Sequence, residues 1–151
     1  MKKKHRISAF VDGLATDSSR TLDPCYQGWF TCFNARQYYE AHDVLEHLWL
    51  GTRDENHHFY KGLIQIAGAF VHLQKQFLRP DHPKDGRRLR PAVRLFHLGM
   101  NNVEPYGPVH LHLEVGALLA LCRHYAEPIV ASQFTRNPWH PQRAPRVELL
   151  A

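Results

Sequence analysis

Two helix-forming stretches, separated by a short linker, constrain the fold of this chain more than any other feature. The first, residues 38–49, contains neither Gly nor Pro, and at about 100° per residue its apolar side chains gather in one arc. The second, residues 59–78, has a broad apolar arc bordered at three- and four-residue steps by Gly62, Gln65, Ala69 and His72. The linker, residues 51–56, is short enough to force adjacency. We therefore predict an antiparallel helical hairpin.

Four polar side chains are predicted to meet across this hairpin. His42 and Glu46 lie four residues apart on one edge of the first arc. Gln65 and His72 lie on the border of the second arc, where glycine and alanine allow a close approach. The opposite side of the first helix, which we expect to face water, carries Glu40, Asp43 and His47.

A metal site is the most specific chemistry that this set could support. His42 and Glu46 at i and i+4 suit two ligands to one divalent ion, and His72 would supply a third. A water in the remaining position would make the site catalytic, with Asp43 or Gln65 orienting the water or a ligand. The spacing is neither His-Glu-x-x-His nor the repeated Glu-x-x-His of di-iron bundles, so the sequence does not identify the metal.

Two other interpretations of these residues stay open. They could form a satisfied buried network that fixes helix register, with Trp49 donating its indole N–H. Without metal, they could bind a small ligand or act in acid–base chemistry, because a histidine beside a carboxylate has an adjustable pKa. Neither stretch contains Ser or Cys, which disfavours covalent catalysis. The catalytic candidates are His42, Asp43, Glu46 and Gln65.

Breaks elsewhere in the sequence predict an all-α, single-domain bundle of about five helices. Asp23-Pro24 provides an N-cap and a first-turn proline for a helix that ends near Asn34. Further helices are predicted at about 84–103, with Pro91 bending it or delaying its start, and at 111–131. We find no convincing strand. The predicted organisation is an N-terminal arm at 1–23, the bundle at 24–134 and an extended proline-rich tail at 135–151.

Size and composition are those of a soluble globular domain. The chain has 151 residues, of which 44% are hydrophobic and 22% charged. No apolar run approaches the ~20 residues that span a bilayer, and the basic start leads only into a short apolar stretch interrupted by Asp12. We therefore expect a cytoplasmic protein without a membrane partner. The three cysteines, which form no Cys-x-x-Cys pair, are expected to be free and buried.

The net charge of +5 permits a weak interaction with nucleic acid. No recognised nucleic-acid motif is present, and the arginines of one segment fall around much of its helical wheel. A homodimer is a further hypothesis, with exposed tail aromatics such as Trp139 docking on a second copy or on another protein. A structural or interaction module is thus the alternative to a ligand site. The cationic residues concerned are Lys2, Lys3, Lys4, Arg6, Arg87, Arg88, Arg90 and Arg94.

The motif residues resemble the domain-of-unknown-function family 309, a group of small all-helical proteins. The resemblance covers roughly residues 24–103, and family members typically have Glu-Ala-His-Glu where Asp43 ends the motif here. It implies the helical fold and marks the polar residues as family features, but it implies no established reaction. The matching pattern is Phe33-Asn34, then Tyr39-Glu40-Ala41-His42-Asp43-Val44-Leu45-Glu46 and Trp49, then Gly62-Leu63-Ile64-Gln65, Ala67, Ala69 and His72.

Overall fold

The computed structural model describes residues 21–151, and an all-α bundle is confirmed over that range. The predicted arm lies outside the described residues except for its last three positions. Two 3₁₀ turns and a short antiparallel hairpin, in which Val109 pairs with Glu114, complete the fold. Within the described range the five helices are α1 (Pro24–Asn34), α2 (Tyr38–Leu50), α3 (His57–Leu78), α4 (Leu89–Val103) and α5 (Val115–Ala131). The strands are β1 (Val109–His110) and β2 (Leu113–Glu114), and the turns are Glu104–Tyr106 and Pro141–Arg143.

Helix α1 begins at Pro24, as the Asp23-Pro24 pair predicts. The Asp23 side chain accepts a hydrogen bond from the Cys25 amide at 2.7 Å, and Pro24 occupies the first turn, where its missing N–H costs nothing. The helix ends at Asn34, and Arg36 then adopts a positive φ of 61°. This turn carries the chain directly into α2.

Helix α3 is the centre of the bundle, as the ring contacts of Phe70 show. This fully buried ring lies 5.0 Å from Phe33 of α1 and 5.3 Å from Tyr38 of α2, measured between ring centroids. On its other side it lies 5.2 Å from Phe96 of α4 and 5.1 Å from Tyr125 of α5. One side chain therefore touches all four neighbouring helices, and large aromatic rings fill the core between them.

Helices α3 and α4 cross with almost no side-chain volume between them. A Cβ placed on Gly62 would lie 2.9 Å from the Gly99 carbonyl oxygen and 2.6 Å from Val103 Cγ1. A Cβ placed on Gly99 would lie 2.8 Å from the Gly62 carbonyl oxygen and 2.6 Å from Ile66 Cγ1. The distance between two helices depends on the side chains at the contact, so these glycines set the closest approach in this pair.

The last two helices begin later than predicted. Helix α4 begins at Leu89 rather than near residue 84, with Pro91 in its first turn, where proline is tolerated. Helix α5 begins at Val115 rather than at Leu111. The prediction of no strand is wrong here, because Leu111 and His112, with φ of 46° and 65°, form the turn of the β1–β2 hairpin. Periodicity alone did not separate this turn from the helix that follows it.

The C-terminal segment is bound to the bundle, and an extended tail is not confirmed. The expectation that Trp139 is exposed is wrong: it is 2% exposed, and its indole N–H donates to the Tyr38 hydroxyl at 2.9 Å. The Asn34 side chain holds the backbone of Val147 with one donated and one accepted bond, of 3.0 and 2.7 Å. A tryptophan that finds both an apolar site and an acceptor is stable inside.

The three cysteines are free and buried, as predicted. Burial raises the pKa of the Cys32 and Cys122 thiols to about 12, so neither is a reactive thiolate at neutral pH. None of the helices in the described range has the length and apolar character to cross a membrane.

Candidate functional site

The predicted neighbours α2 and α3 do pack together, joined by a short connection. The polar set predicted to converge between them divides into separate groups. His42 and Asp43 form one pair on α2, whereas Gln65 and His72 of α3 find their hydrogen-bond partners at α4 and at its start.

The pair on α2 consists of a half-exposed histidine and a buried carboxylate. His42 Nδ1 lies 3.2 Å from Asp43 Oδ1, and the two side chains are 31% and 4% exposed. The expectation that Asp43 faces water is therefore wrong, although Glu40 is exposed as predicted. A helical wheel gives the angle of a side chain and cannot tell what covers that side of the helix. Glu46, one turn from His42, is half-buried and has an interaction of its own.

Gln65 connects α3 to α4. Its side-chain oxygen accepts a hydrogen bond of 2.7 Å from Asn102 Nδ2. The bond lies beside the glycine crossing, since a Cβ placed on Gly62 would lie only 3.0 Å from Asn102 Cβ. The small-residue border of α3 therefore faces α4 at this point, and not α2 as predicted.

His72 is bonded to the start of α4 through an arginine. Its Nδ1 accepts from Arg88 Nη1 at 3.0 Å, and Arg88 Nε donates to Asp85 Oδ1 at 3.0 Å. Asp85 Oδ2 also accepts from Arg79 at 3.2 Å. Burial, Arg88 and Lys75 lower the pKa of His72 to about 4, so its ring is neutral at neutral pH. The hydrogen bond from Arg88 lowers the pKa of Asp85, which stays ionised.

A three-ligand centre is not assembled in the described part of the chain. Among residues 21–151, no group of three or more His, Cys, Asp or Glu could hold a metal ion. The Nδ1 atom of His72 already accepts from a cationic guanidinium, which would repel a metal ion beside it. Next to His42, the space over Gly68 is taken by Leu95 of α4, whose Cδ1 would lie 3.1 Å from an added Cβ. Over residues 21–151 the structure therefore gives no support to His42, Glu46 and His72 as a three-ligand metal set.

Trp49 does not donate into the network, contrary to the prediction. Its buried Nε1 has no acceptor among the described residues, while its ring stacks on His57 at 5.0 Å between centroids. The linker side of α2 therefore holds Trp49 by ring contact.

Asn102, which was not among the predicted residues, and Arg88, which was named only in the basic cluster, supply the partners of the polar side chains of α3. A signal for Asn102 was present. Gly62-x-x-Gln65 in α3 is matched by Gly99-x-x-Asn102 in α4, which places a glycine and an amide in the same relation on both helices. Arg88 has no comparable signal, because it precedes its helix and its neighbours are also arginines.

Among the comparisons with known proteins, one family model matches part of the chain. No curated protein and no solved structure shows a significant match to the chain. The stretch that the family model matches contains most of α1 and all of α2 and α3, and it ends before Arg88 and Asn102, which bond to His72 and Gln65. Residues 26–80 match the model of the Domain of unknown function family (DUF309), and the family resemblance predicted from the motifs is confirmed over this stretch.

Proposed function

We propose that the protein is a structural interaction module, in which Gln65 and His72 set the register of α3 against α4 rather than bind a metal ion or act as catalysts. The observation that carries the proposal is the Gln65–Asn102 hydrogen bond beside the Gly62–Gly99 contact. The close glycine contact and the amide hydrogen bond then favour the same alignment of α3 and α4.

Geometry explains why these two features act together. Sliding α4 by one helical turn, about 5.4 Å, would place bulkier side chains at the crossing and separate the two amides. A half-buried hydrogen bond contributes only about 1 kcal/mol, but leaving one buried partner unmet costs about 1–3 kcal/mol. The penalty for wrong alignments is thus larger than the gain from the right one, as expected for a device that specifies packing.

Elemental analysis of tag-free protein, combined with urea unfolding of variants, tests this proposal. We expect no stoichiometric metal in the wild type, and reduced stability in Gln65→Leu, in which Asn102 loses its acceptor. Near one ion per chain, lost in both His42→Ala and His72→Ala, would contradict the proposal and restore the metal site.

A second copy of the chain is the simplest partner for such a module. Tyr39 and Leu50 are 56% and 59% exposed, and their spacing of three helical turns places them on one side of α2. Sedimentation over a range of concentrations should show a dimer that Leu50→Glu dissociates, since Leu50 contributes little to the core. A monomer at all concentrations would exclude this partner.

The His42–Asp43 pair supports one other candidate, acid–base chemistry on a small substrate. A buried carboxylate beside Nδ1 holds a half-exposed imidazole in one orientation, which is how a general base is positioned. A metabolite screen that monitors the His42 ring resonances tests it. A hit in the wild type that is lost in Asp43→Asn would favour this candidate over a purely structural role for the pair.

A further inference from the structure

A pocket of about 330 Å³ lies beside the 79–88 loop. Its walls come from the end of α3, the last residues of this loop, the start of α4 and the turn after α5. This volume is at the lower end of the range for small-molecule sites in proteins, about 300–1,000 Å³. The lining residues are Gln76, Gly86, Arg87, Leu89, Arg90, Gln133 and Phe134.

The charge of this pocket is positive and is not neutralised from within. Arg87 and Arg90 are among its lining residues, together with Gln76 and Gln133, and no Asp or Glu of the described part of the chain lines it. The nearest acid in sequence, Asp85, is already paired with Arg88 and Arg79. Arg79 and Arg88 are thus paired with Asp85, whereas Arg87 and Arg90 line the pocket.

The walls are fixed in place by the fold. Gln76 Oε1 accepts from the Arg88 amide at 2.7 Å, which orients that side chain at the pocket edge. Gln133 and Phe134 adopt φ of 57° and 62°, and their amides donate to Val130 and Ile129 carbonyls at 2.9 Å. Arg90 lies over the Phe134 ring, with its guanidinium carbon 4.1 Å from the ring centroid. Binding would therefore require little ordering of Gln76, Arg90 and Phe134.

We propose that this pocket binds a small molecule that carries a phosphate group. A planar guanidinium donates two parallel hydrogen bonds to phosphate oxygens, and two such groups with two amide donors match a tetrahedral dianion better than a single carboxylate. The pocket volume suits a phosphorylated metabolite and not a polymer, which would need an extended basic surface. The inference goes beyond the proposed function and does not depend on the role of Gln65 and His72.

Isothermal titration at about 150 mM salt, where long-range attraction is screened, tests this site. The probes are inorganic phosphate, glycerol 3-phosphate, adenosine 5′-monophosphate, uncharged glycerol and a short single-stranded oligonucleotide. We expect at least one of the three small phosphates to bind and glycerol to fail. The best probe then distinguishes free phosphate from a phosphorylated metabolite or nucleotide.

Charge-removing variants locate the binding. Arg87→Gln and Arg90→Gln should each weaken the best probe by about tenfold or more, because charge-assisted hydrogen bonds are the strong class. Arg94→Gln is the matched control: it removes an exposed arginine from the same helix, one turn beyond the pocket, and should change affinity less than twofold. Thermal unfolding verifies that each variant is folded.

Three results would overturn the proposal. Equal losses in Arg87→Gln and Arg94→Gln would show a general charge effect without a site. If no small phosphate binds at millimolar concentration, phosphorylated small molecules are excluded as ligands of this pocket. Tight binding of the oligonucleotide without binding of the small phosphates would assign these arginines to a nucleic-acid surface.

Discussion

The two interfaces that α3 makes with α2 and with α4 are built in opposite ways. Toward α2, rings such as Tyr38 and Phe70 fill the space, with a centroid distance of 5.3 Å. Toward α4, Phe70 still meets Phe96, but at the crossing two turns away Gly62 and Gly99 leave no space, and an amide pair lies beside them. The first interface should therefore fail when volume is removed and the second when volume is added. Small residues on one border of a helix indicate that another backbone approaches closely there. They do not identify which of the neighbouring helices it belongs to.

Tyr38→Ala should have the largest effect, at the α2–α3 interface. It removes a fully buried ring that contacts Phe33, Phe70 and Trp139, and large-to-small aromatic changes cost about 3–5 kcal/mol. It also leaves the Trp139 indole N–H without its acceptor. Urea unfolding monitored by circular dichroism measures the loss, and a value below about 1 kcal/mol would show that this interface does not depend on filled volume.

Gly62→Ala should destabilise the α3–α4 interface although it adds only one methyl group. The new Cβ meets the Gly99 carbonyl oxygen, which is backbone and cannot turn away, so a cost of about 1–3 kcal/mol is expected. Gly116→Ala is the control, because nothing lies within 4 Å of an added Cβ there, and helix propensity, which favours alanine over glycine by at most about 1 kcal/mol, should give a gain and not a loss. Equal behaviour of the two variants would contradict the close crossing.

His72 should give the protein a smaller, pH-dependent contribution to stability. Its pKa is lowered from 6.5 to about 4 in the folded state, so on acidification the unfolded state takes up a proton before the folded state does. Above pH 6.5 this group does not reduce the free energy of unfolding. As the pH drops from 6.5 toward 4, the free energy of unfolding falls. The half-exposed position of the ring limits the size of the effect through solvent screening.

His72→Gln isolates this contribution. The variant should lose less stability than the wild type between neutral pH and pH 4, as measured by urea unfolding at each pH. His110, whose pKa burial also lowers, is present in both proteins and cancels in the comparison. Parallel pH profiles for wild type and variant would show that His72 does not titrate in this way.

The helix count and the α2–α3 adjacency could be predicted because they follow from periodicity, capping residues and a short linker. Asp23-Pro24 marked the start of α1, and the linker made α2 and α3 neighbours. The partner of Gln65 could not be chosen in the same way, because α4 is distant in sequence and the border of α3 is equally suitable for either neighbour. Asp43 and Trp139 were misplaced since their burial depends on tertiary contacts that no local pattern encodes.

Double-mutant cycles on Gln65 test most directly whether the polar border of α3 faces α4. One cycle pairs Gln65→Ala with Asn102→Ala, and the other pairs Gln65→Ala with His42→Ala, all followed by urea unfolding. The hydrogen bond of 2.7 Å predicts a coupling of about 1 kcal/mol in the first cycle and additivity within about 0.3–0.5 kcal/mol in the second. A coupling of that size between Gln65 and His42, with additivity between Gln65 and Asn102, would contradict this assignment and return the polar set to the α2–α3 interface.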